Sequence, residues 1–283
     1  MRLVNHDGRL GLVTDGGVID VAAASGGRFG PDPQGVYAQW ADFRAWASGP
    51  GAAATAPLDE KALDEKALGP VVPRPQQVFA VGLNYLDHAA ESKLQPPAQP
   101  MIFTKFASCL HPPYGEITLP SGFVDWEVEL VVVIGERAAN VRPEDAWRHV
   151  AGLTAGQDLS ERDLQMRGAP PQFSLAKSYP GFGPIGPVLV TPDELPDPDA
   201  LALTCTINGE VVQDGNSRDM VFPVPEVISY LSGVCPLLPG DLIFTGTPAG
   251  VGIGRTPPRY LAPGDVLETT ISGIGTMRHH LTS

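Results

Sequence analysis

Asp125-Trp126-Glu127-Val128-Glu129-Leu130-Val131-Val132-Val133-Ile134-Gly135 is the stretch that decides the fold. Its β-branched residues predict a strand. The first part alternates acidic with apolar and the second is continuously apolar, the pattern of a strand that leaves a polar cavity and enters a core. Side chains alternate between faces along a strand, so Glu127 and Glu129 share one face. Two carboxylates side by side repel each other, and next to an apolar run they are poorly solvated. A positive group should lie between them, and a divalent cation meets that need.

Outward from this strand, the flanking sequence predicts a mostly β, α+β architecture. Residues 1 to 23 read as short strands joined by turns at Asp7-Gly8 and Asp15-Gly16-Gly17. Val36 to Ala47 carries Val36, Trp40, Phe43 and Trp46 at helical spacing, the mark of an amphipathic helix with a core-facing aromatic side. The tandem Leu58-Asp59-Glu60-Lys61-Ala62 and Leu63-Asp64-Glu65-Lys66-Ala67 has a period that fits no solenoid and reads as a solvated helix or linker. Pro70, Pro73 and Pro75 then mark a boundary, giving a small N-terminal α+β module over 1–72 and a main domain over 73–283.

Within the main domain, strands are predicted at Val78 to Val81, Met101 to Lys105, Glu127 to Ile134, Leu201 to Ile207, Asp241 to Thr245 and Asp265 to Ile271. A further strand is expected around Ala151-Gly152-Leu153, and Asn208-Gly209 supplies a hairpin turn. Helices are predicted at Pro143 to Val150 and Pro225 to Ser232, each entered through a proline, and Asn84 is a candidate cap for a helix bearing His88 and Glu91. Strands and helices do not alternate strictly, which excludes a doubly wound fold.

Composition narrows the partners. Asp+Glu 32 against Lys+Arg 19 gives a net charge of −13 over 283 residues, which disfavours a nucleic-acid backbone. Anionic small molecules remain compatible if local cations or a metal overcome that field. The three cysteines, Cys109, Cys205 and Cys235, are far apart and form no Cys-x-x-Cys pair, so neither a disulfide framework nor a zinc knuckle is indicated and a reducing cytoplasm is expected. The N-terminus reaches a polar turn too soon for a signal peptide, and no apolar run approaches membrane-spanning length.

The chemistry-bearing candidates come next. A metal site needs a third ligand, and Asp158 at the end of Gly156-Gln157-Asp158 offers one; oxygen ligands alone select a hard ion, Mg²⁺ or Mn²⁺, with coordination positions left for substrate. His88 and Glu91 lie three apart on a helix, where they form either a surface pair or a dyad in which Glu91 orients the imidazole and His88 takes a proton from water. Lys177 sits in a stretch otherwise poor in charge, as a snorkelling lysine or as a donor to a developing oxyanion. The run Thr245 to Gly254 lacks the Gly-Lys-Ser/Thr ending of a P-loop, and Pro257-Pro258 follows where a helix should start, which excludes a nucleotide phosphate site but leaves Thr247 and backbone N–H groups for a small anion. No Gly-x-Ser-x-Gly elbow is present, so a serine hydrolase has no local support.

In their order these motifs resemble the fumarylacetoacetate hydrolase family. Gly82-Leu83-Asn84-Tyr85 with His88-Ala89-Ala90-Glu91, Asp125 to Leu130, Gln157 to Gln165, Lys177 with Phe182 to Pro187, and Thr245 to Pro248 with Gly250-Val251-Gly252 are similar to five signatures of that family, over about Arg74 to Arg278. The resemblance implies a mixed β-roll or β-sandwich domain, a homodimer, and Mg²⁺ or Mn²⁺ held by Glu127, Glu129 and Asp158. It further implies His88 and Glu91 as a water-activating dyad, Lys177 as the electrophilic lysine, and Arg162, Gln165 and Thr247 as substrate contacts. Two departures stand out: Pro180-Gly181 replaces an Asp-Thr common in the family, and His279 follows Arg278 where an Asn is frequent.

A 2-oxo acid can chelate such a cation through its carboxylate and 2-oxo oxygens, which would overcome the net negative field. The expectation is a metal-dependent hydrolase that cleaves a C–C bond of an acylpyruvate or related diketo acid by way of an enolate. The same site supports decarboxylation of oxaloacetate or isomerisation of 2-hydroxymuconate-type dioic acids. A non-catalytic oxoacid-binding protein is the reading from another class, hinted at by Pro180-Gly181. Selectivity for the acyl group is expected from the segment between Glu91 and Pro100 and from Pro170-Pro171-Gln172-Phe173.

Overall fold

The quoted stretch lies in the middle of a large mixed sheet. The structure, a computed structural model, describes residues 1–14, 17–49, 64–91, 95, 97–120 and 122–283. Among the described residues the sheet runs in the order Gly17–Asp20, Arg9–Thr14, Arg2–His6, Gly183–Val190, Val150–Gln157, Val128–Ile134, Leu242–Phe244, Val78–Gly82, Met101–Thr104. Leu68–Gly69 and Leu110–His111 pair at its sides, against Arg2–His6 and Gly183–Val190. A second sheet is ordered Glu210–Asn216, Ala202–Ile207, Val266–Ile271, Gly275–Thr282, Tyr114–Thr118. The fold is therefore mostly β.

The alternation anticipated for the central strand organises both layers. Val128, Leu130, Val132 and Ile134 pack in one cluster with Leu203, Cys205, Leu267 and Met277 of the second sheet, and with the helix Val224–Val234. Val131 and Val133 face the other way, into a cluster with Trp40 and Phe43 of the helix Trp40–Ala47. Both faces are covered, which is why the strand is a continuous apolar run. Glu127 and Glu129 have the parity of Val131 and Val133, so they lie where the helix-covered face opens into a cavity.

The first residues extend this sheet: Arg2 and Leu3 pair with Val190 and Leu189. The tight turn at Asp7-Gly8 has both residues at positive φ, whereas Asp15 and Gly16 of the next turn lie outside the described residues. Residues 58–63 of the charged tandem also lie outside them; its end forms a single 3-10 turn, Glu65–Ala67.

Several element readings need correction. The predicted strand from Glu127 begins at Val128, because the backbone N–H of Glu127 is taken by the Gln157 side chain at 2.9 Å instead of by a neighbouring strand. Upstream, Val124–Asp125 pairs separately with Ser160–Glu161. Pro143–His149 winds as a 3-10 helix. Asn84 caps nothing: its amide donates to Phe222 O and Thr245 O and accepts from Phe222 N–H, bracing two distant loops. The strand Gly183–Val190 was not foreseen, since its glycines and prolines read as loop; it is accommodated by a register irregularity against Val150–Gln157.

Candidate metal and catalytic site

Asp158 follows the strand Val150–Gln157, and its N–H donates to Glu127 O at 3.0 Å, so the third carboxylate is set beside the first by the same ladder that aligns the strands. Glu127, Glu129 and Asp158 are all buried, and one carboxylate oxygen from each lies within 4.8 Å of the others. Lys177 Nζ enters this cluster, donating to Glu127 Oε2 and Asp158 Oδ2 at 2.8 Å each and to Ser160 Oγ at 2.7 Å. Behind it a second wholly buried lysine, Lys105, donates to Asp158 Oδ1 at 2.6 Å, to Phe182 O at 3.2 Å and to Lys177 O.

Arg162 closes the other side. Its Nε reaches Asp125 Oδ2, its Nη2 reaches Glu127 Oε1 and its Nη1 reaches Gln165 Oε1, each at 2.8 Å. Burial opposes its charge, but Asp125 and Glu127 outweigh that and raise its pKa. Every guanidinium nitrogen already has a protein partner, so Arg162 braces the site, while no hydrogen bond is made by the amide nitrogen of Gln165 among the described residues. The hydroxyl of Thr247 donates to Val128 O and accepts from Gln213 Nε2, both at 2.8 Å, so its proton is committed to the strand.

Charge balance tests whether a cation fits. Four buried carboxylates, Asp125, Glu127, Glu129 and Asp158, meet three buried cations, Lys105, Arg162 and Lys177. Burial raises the Glu127 pKa, but Lys177 and Arg162 prevail and hold it down to about 2. Glu129 is pushed well above its ordinary value by burial and by the charges of Asp158 and Glu127. Among the described residues its one hydrogen-bond donor is Gly246 N–H at 2.8 Å. Burial and like-charged neighbours that disfavour the charge on Glu129 mark a site with room for added positive charge. Three oxygen donors suit a hard divalent ion, so the residues fit Mg²⁺ or Mn²⁺.

The dyad faces the same cavity, of about 740 Å³. His88 Nδ1 is 3.6 Å from Glu91 Oε2, a contact longer than a hydrogen bond, and among the described residues it has no other partner. Glu91 accepts from Gly250 N–H at 3.1 and 3.2 Å. Burial would raise its pKa, but His88 and that N–H outweigh it and hold the carboxyl below the usual range. The rest of the wall is mostly apolar, from Leu83, Met101, Phe103, Met166, Phe173 and Ile253, with Arg255 and Thr256 as its polar members.

One loop serves three of these acids through its backbone. Gly246 N–H holds Glu129, Gly250 N–H holds Glu91, and Gly252 and Ile253 N–H hold Asp125 at 2.7 and 2.9 Å. The glycine-rich run that resembles a phosphate loop thus binds the protein's own carboxylates.

All nine residues singled out from sequence come to this region: eight line the cavity, and Asp158 lies behind Glu127 and Glu129. Pro170, Pro171 and Phe173 line it as expected, whereas residues 92–94 and 96 of the other selectivity segment lie outside the described residues. Lys105, Ser160 and Asp125 went unrecognised. The one available signal for Lys105 was a lone lysine closing an apolar strand. At Pro180-Gly181, Gly181 takes φ 86°, a conformation that disfavours the branched side chain a threonine would place there.

The fold and the buried carboxylate cluster together define a β protein of a known kind. The sequence profile "Fumarylacetoacetate (FAA) hydrolase C-terminal" matches residues 77–282, and the chain belongs to this family. It is 47% identical over 212 residues to the human mitochondrial oxaloacetate tautomerase FAHD2A, covering 74% of this chain and 67% of that protein. The fumarylacetoacetate hydrolase of Exiguobacterium antarcticum superposes with a TM-score of 0.83 at 31% identity, covering 100% of this chain and 99% of that one. The fumarylpyruvate hydrolase of Pseudomonas aeruginosa, solved with Mn²⁺ and pyruvate, gives a TM-score of 0.67 at 32% identity over 74% of this chain and 90% of that one. No described helix is long and apolar enough to cross a membrane.

Proposed function

We propose that this chain is a Mg²⁺- or Mn²⁺-dependent enzyme that transfers a proton at the carbon next to the 2-oxo group of a small anionic acid, interconverting its keto and enol forms. The observation that carries the reading is the convergence of Glu127, Glu129, Asp158, Lys177 and the His88–Glu91 dyad on one region of the protein. The 47% identity to an oxaloacetate tautomerase supports proton transfer as the outcome.

Glu127, Glu129 and Asp158 would hold a divalent cation, which would supply Lewis acidity toward a 2-oxo acid. The chain's own residues do the rest. Glu91 keeps the imidazole turned toward the cavity, and His88 removes the C3 proton. The electron pair moves into the C2–C3 bond and onto the 2-oxo oxygen, whose charge the nearby Lys177 ammonium offsets through space while its N–H groups stay on Glu127, Asp158 and Ser160. Return of the proton to that oxygen gives the enol. The apolar side chains of the wall lower the local dielectric and keep these charges effective.

A second reading, C–C hydrolysis, is favoured by the dyad itself, in which a carboxylate backs an imidazole as it would to activate water. Water delivered to the distal carbonyl of an acylpyruvate breaks the C–C bond and leaves the pair on C3, yielding pyruvate and an acid. Loss of CO₂ from oxaloacetate passes through the same enolate. Following the family resemblance, the working unit is a homodimer.

The test is a panel of oxaloacetate and acylpyruvates assayed with and without EDTA by the absorbance of the enol. We expect metal-dependent conversion that falls by orders of magnitude in Glu127→Ala and His88→Ala. Equal turnover in either folded variant would sink the mechanism, and loss of the acyl fragment, read by mass, would assign hydrolysis over tautomerisation.

A further inference from the structure

Three cationic side chains line the cavity among the described residues other than histidine: Arg162, Lys177 and Arg255. The first two are spent on Asp125, Glu127 and Asp158. Arg255 is different. Among the described residues no carboxylate lies within ion-pair range of it, although the chain carries a net charge of −13 and most of its arginines are paired with acids.

The guanidinium is nevertheless held in place. Nη2 donates to Val212 O at 3.0 Å and to Gly250 O at 3.3 Å, and the group lies over the Trp126 ring at 5.5 Å from its centroid. Nε is buried without a partner, no hydrogen bond is made by Nη1 among the described residues, and the side chain lines the cavity. Orienting an arginine by carbonyls and an aromatic face preserves its whole charge for an anion, because neither neutralises it.

Its place in the wall says which anion. Gly250, whose carbonyl Arg255 holds, donates its N–H to Glu91 of the dyad, and an added Cβ on the neighbouring Gly254 would lie 2.4 Å from Glu91 Cγ. Arg255 therefore rides on the loop packed against the dyad, apart from Lys177 and Lys105, which crowd the carboxylate triad. Resting on the reading of the triad as the anchor for a 2-oxo acid, we infer that Arg255 receives a second, distal carboxylate, so that the preferred ligands are 2-oxo diacids rather than acids with a neutral tail. The cavity's apolar lining, Leu83, Met101, Phe103 and Phe173, would otherwise favour an apolar tail.

Calorimetric titration of the Mn²⁺-loaded protein tests this with chain-matched probes: 2-oxoglutarate against 2-oxopentanoate, 2-oxoadipate against 2-oxohexanoate, and oxalate, which has no tail. We expect the wild type to bind one diacid about 10- to 100-fold tighter than its neutral-tail match, the range of a charge-assisted hydrogen bond. That ratio should fall to near one in Arg255→Met and be intermediate in Arg255→Lys. Reading a ratio within each variant cancels any general loss from the freed carbonyls. A wild-type ratio near one with oxalate bound overturns the inference and leaves the site reading standing. A ratio unchanged in Arg255→Met also overturns it. Failure of oxalate and every 2-oxo acid to bind overturns both.

Discussion

Replacing Lys105 by methionine probes the least expected member of the site. The side chain is wholly buried, and methionine nearly matches its volume, so the change removes charge and hydrogen bonds with little cavity formation. Asp158 keeps Lys177, but loses its 2.6 Å partner, and Phe182 O and Lys177 O lose a donor. Removing one partner of a buried ion pair costs about 3–5 kcal/mol. At about 2–4 °C per kcal/mol for a chain of this size, the melting temperature in EDTA should fall by about 10 °C. The same substitution strips a positive charge from beside a cation site. A unit charge at about 4 Å is worth on the order of 4 kcal/mol at an effective dielectric of 20, so Mn²⁺ should bind more tightly and recover much of the loss. Melting by scanning calorimetry, with EDTA and with excess MnCl₂, therefore gives opposite signs for one substitution: lower without metal, and a larger metal-induced gain than in the wild type. A Lys105→Met protein that melts within a degree of the wild type in EDTA would refute the buried pair. One that gains no more from Mn²⁺ than the wild type would refute a cation beside Asp158.

Two other outcomes are expected. Gly254→Ala should lower kcat by about 10- to 100-fold with a nearly unchanged melting temperature, because the new Cβ, 2.4–2.7 Å from Glu91 Cγ, Cδ and Oε1, displaces the group that orients His88; an unchanged kcat would remove Glu91 from the mechanism. His279 is buried, bonded through Nε2 to Pro112 O, and burial depresses its pKa to about 3. Since the folded value lies below the unfolded one of about 6.5, the stability it supports is present above pH 6.5 and lost as the pH falls toward 3, at up to about 1.4 kcal/mol per unit. Urea unfolding from pH 7 to 4 should therefore show a shallower decline in His279→Gln, by about 3 kcal/mol over the range, and parallel curves would contradict this.

The parts legible in sequence were those set by alternation and by local spacing. Glu127 and Glu129 had to share a face once the strand was recognised, and Asp158 lay at the end of the next strand. Lys105, Arg255 and the bracing role of Asn84 were not legible, because each acts on residues distant in the chain, in large part through backbone carbonyls, which carry no sequence mark. Lys105 joins Asp158 and Phe182, and Asn84 ties Phe222 to Thr245. Gly183–Val190 was hidden for a related reason: its prolines argue for loop locally, and its pairing with Arg2–His6 is a property of distant partners.

The loop from Gly246 to Ile253 grips three carboxylates with peptide N–H groups. Such contacts are beyond the reach of ordinary side-chain mutagenesis: an alanine scan passes over them, and only an amide-to-ester exchange or a change in loop length deletes one. Substrate preference can then drift through side chains such as Arg255 while the donors beneath stay fixed. For redesign this divides the work, with the side chains of Arg255 and Thr256 as the variable register and the peptide backbone from Gly246 to Gly254 as a frame to be left untouched.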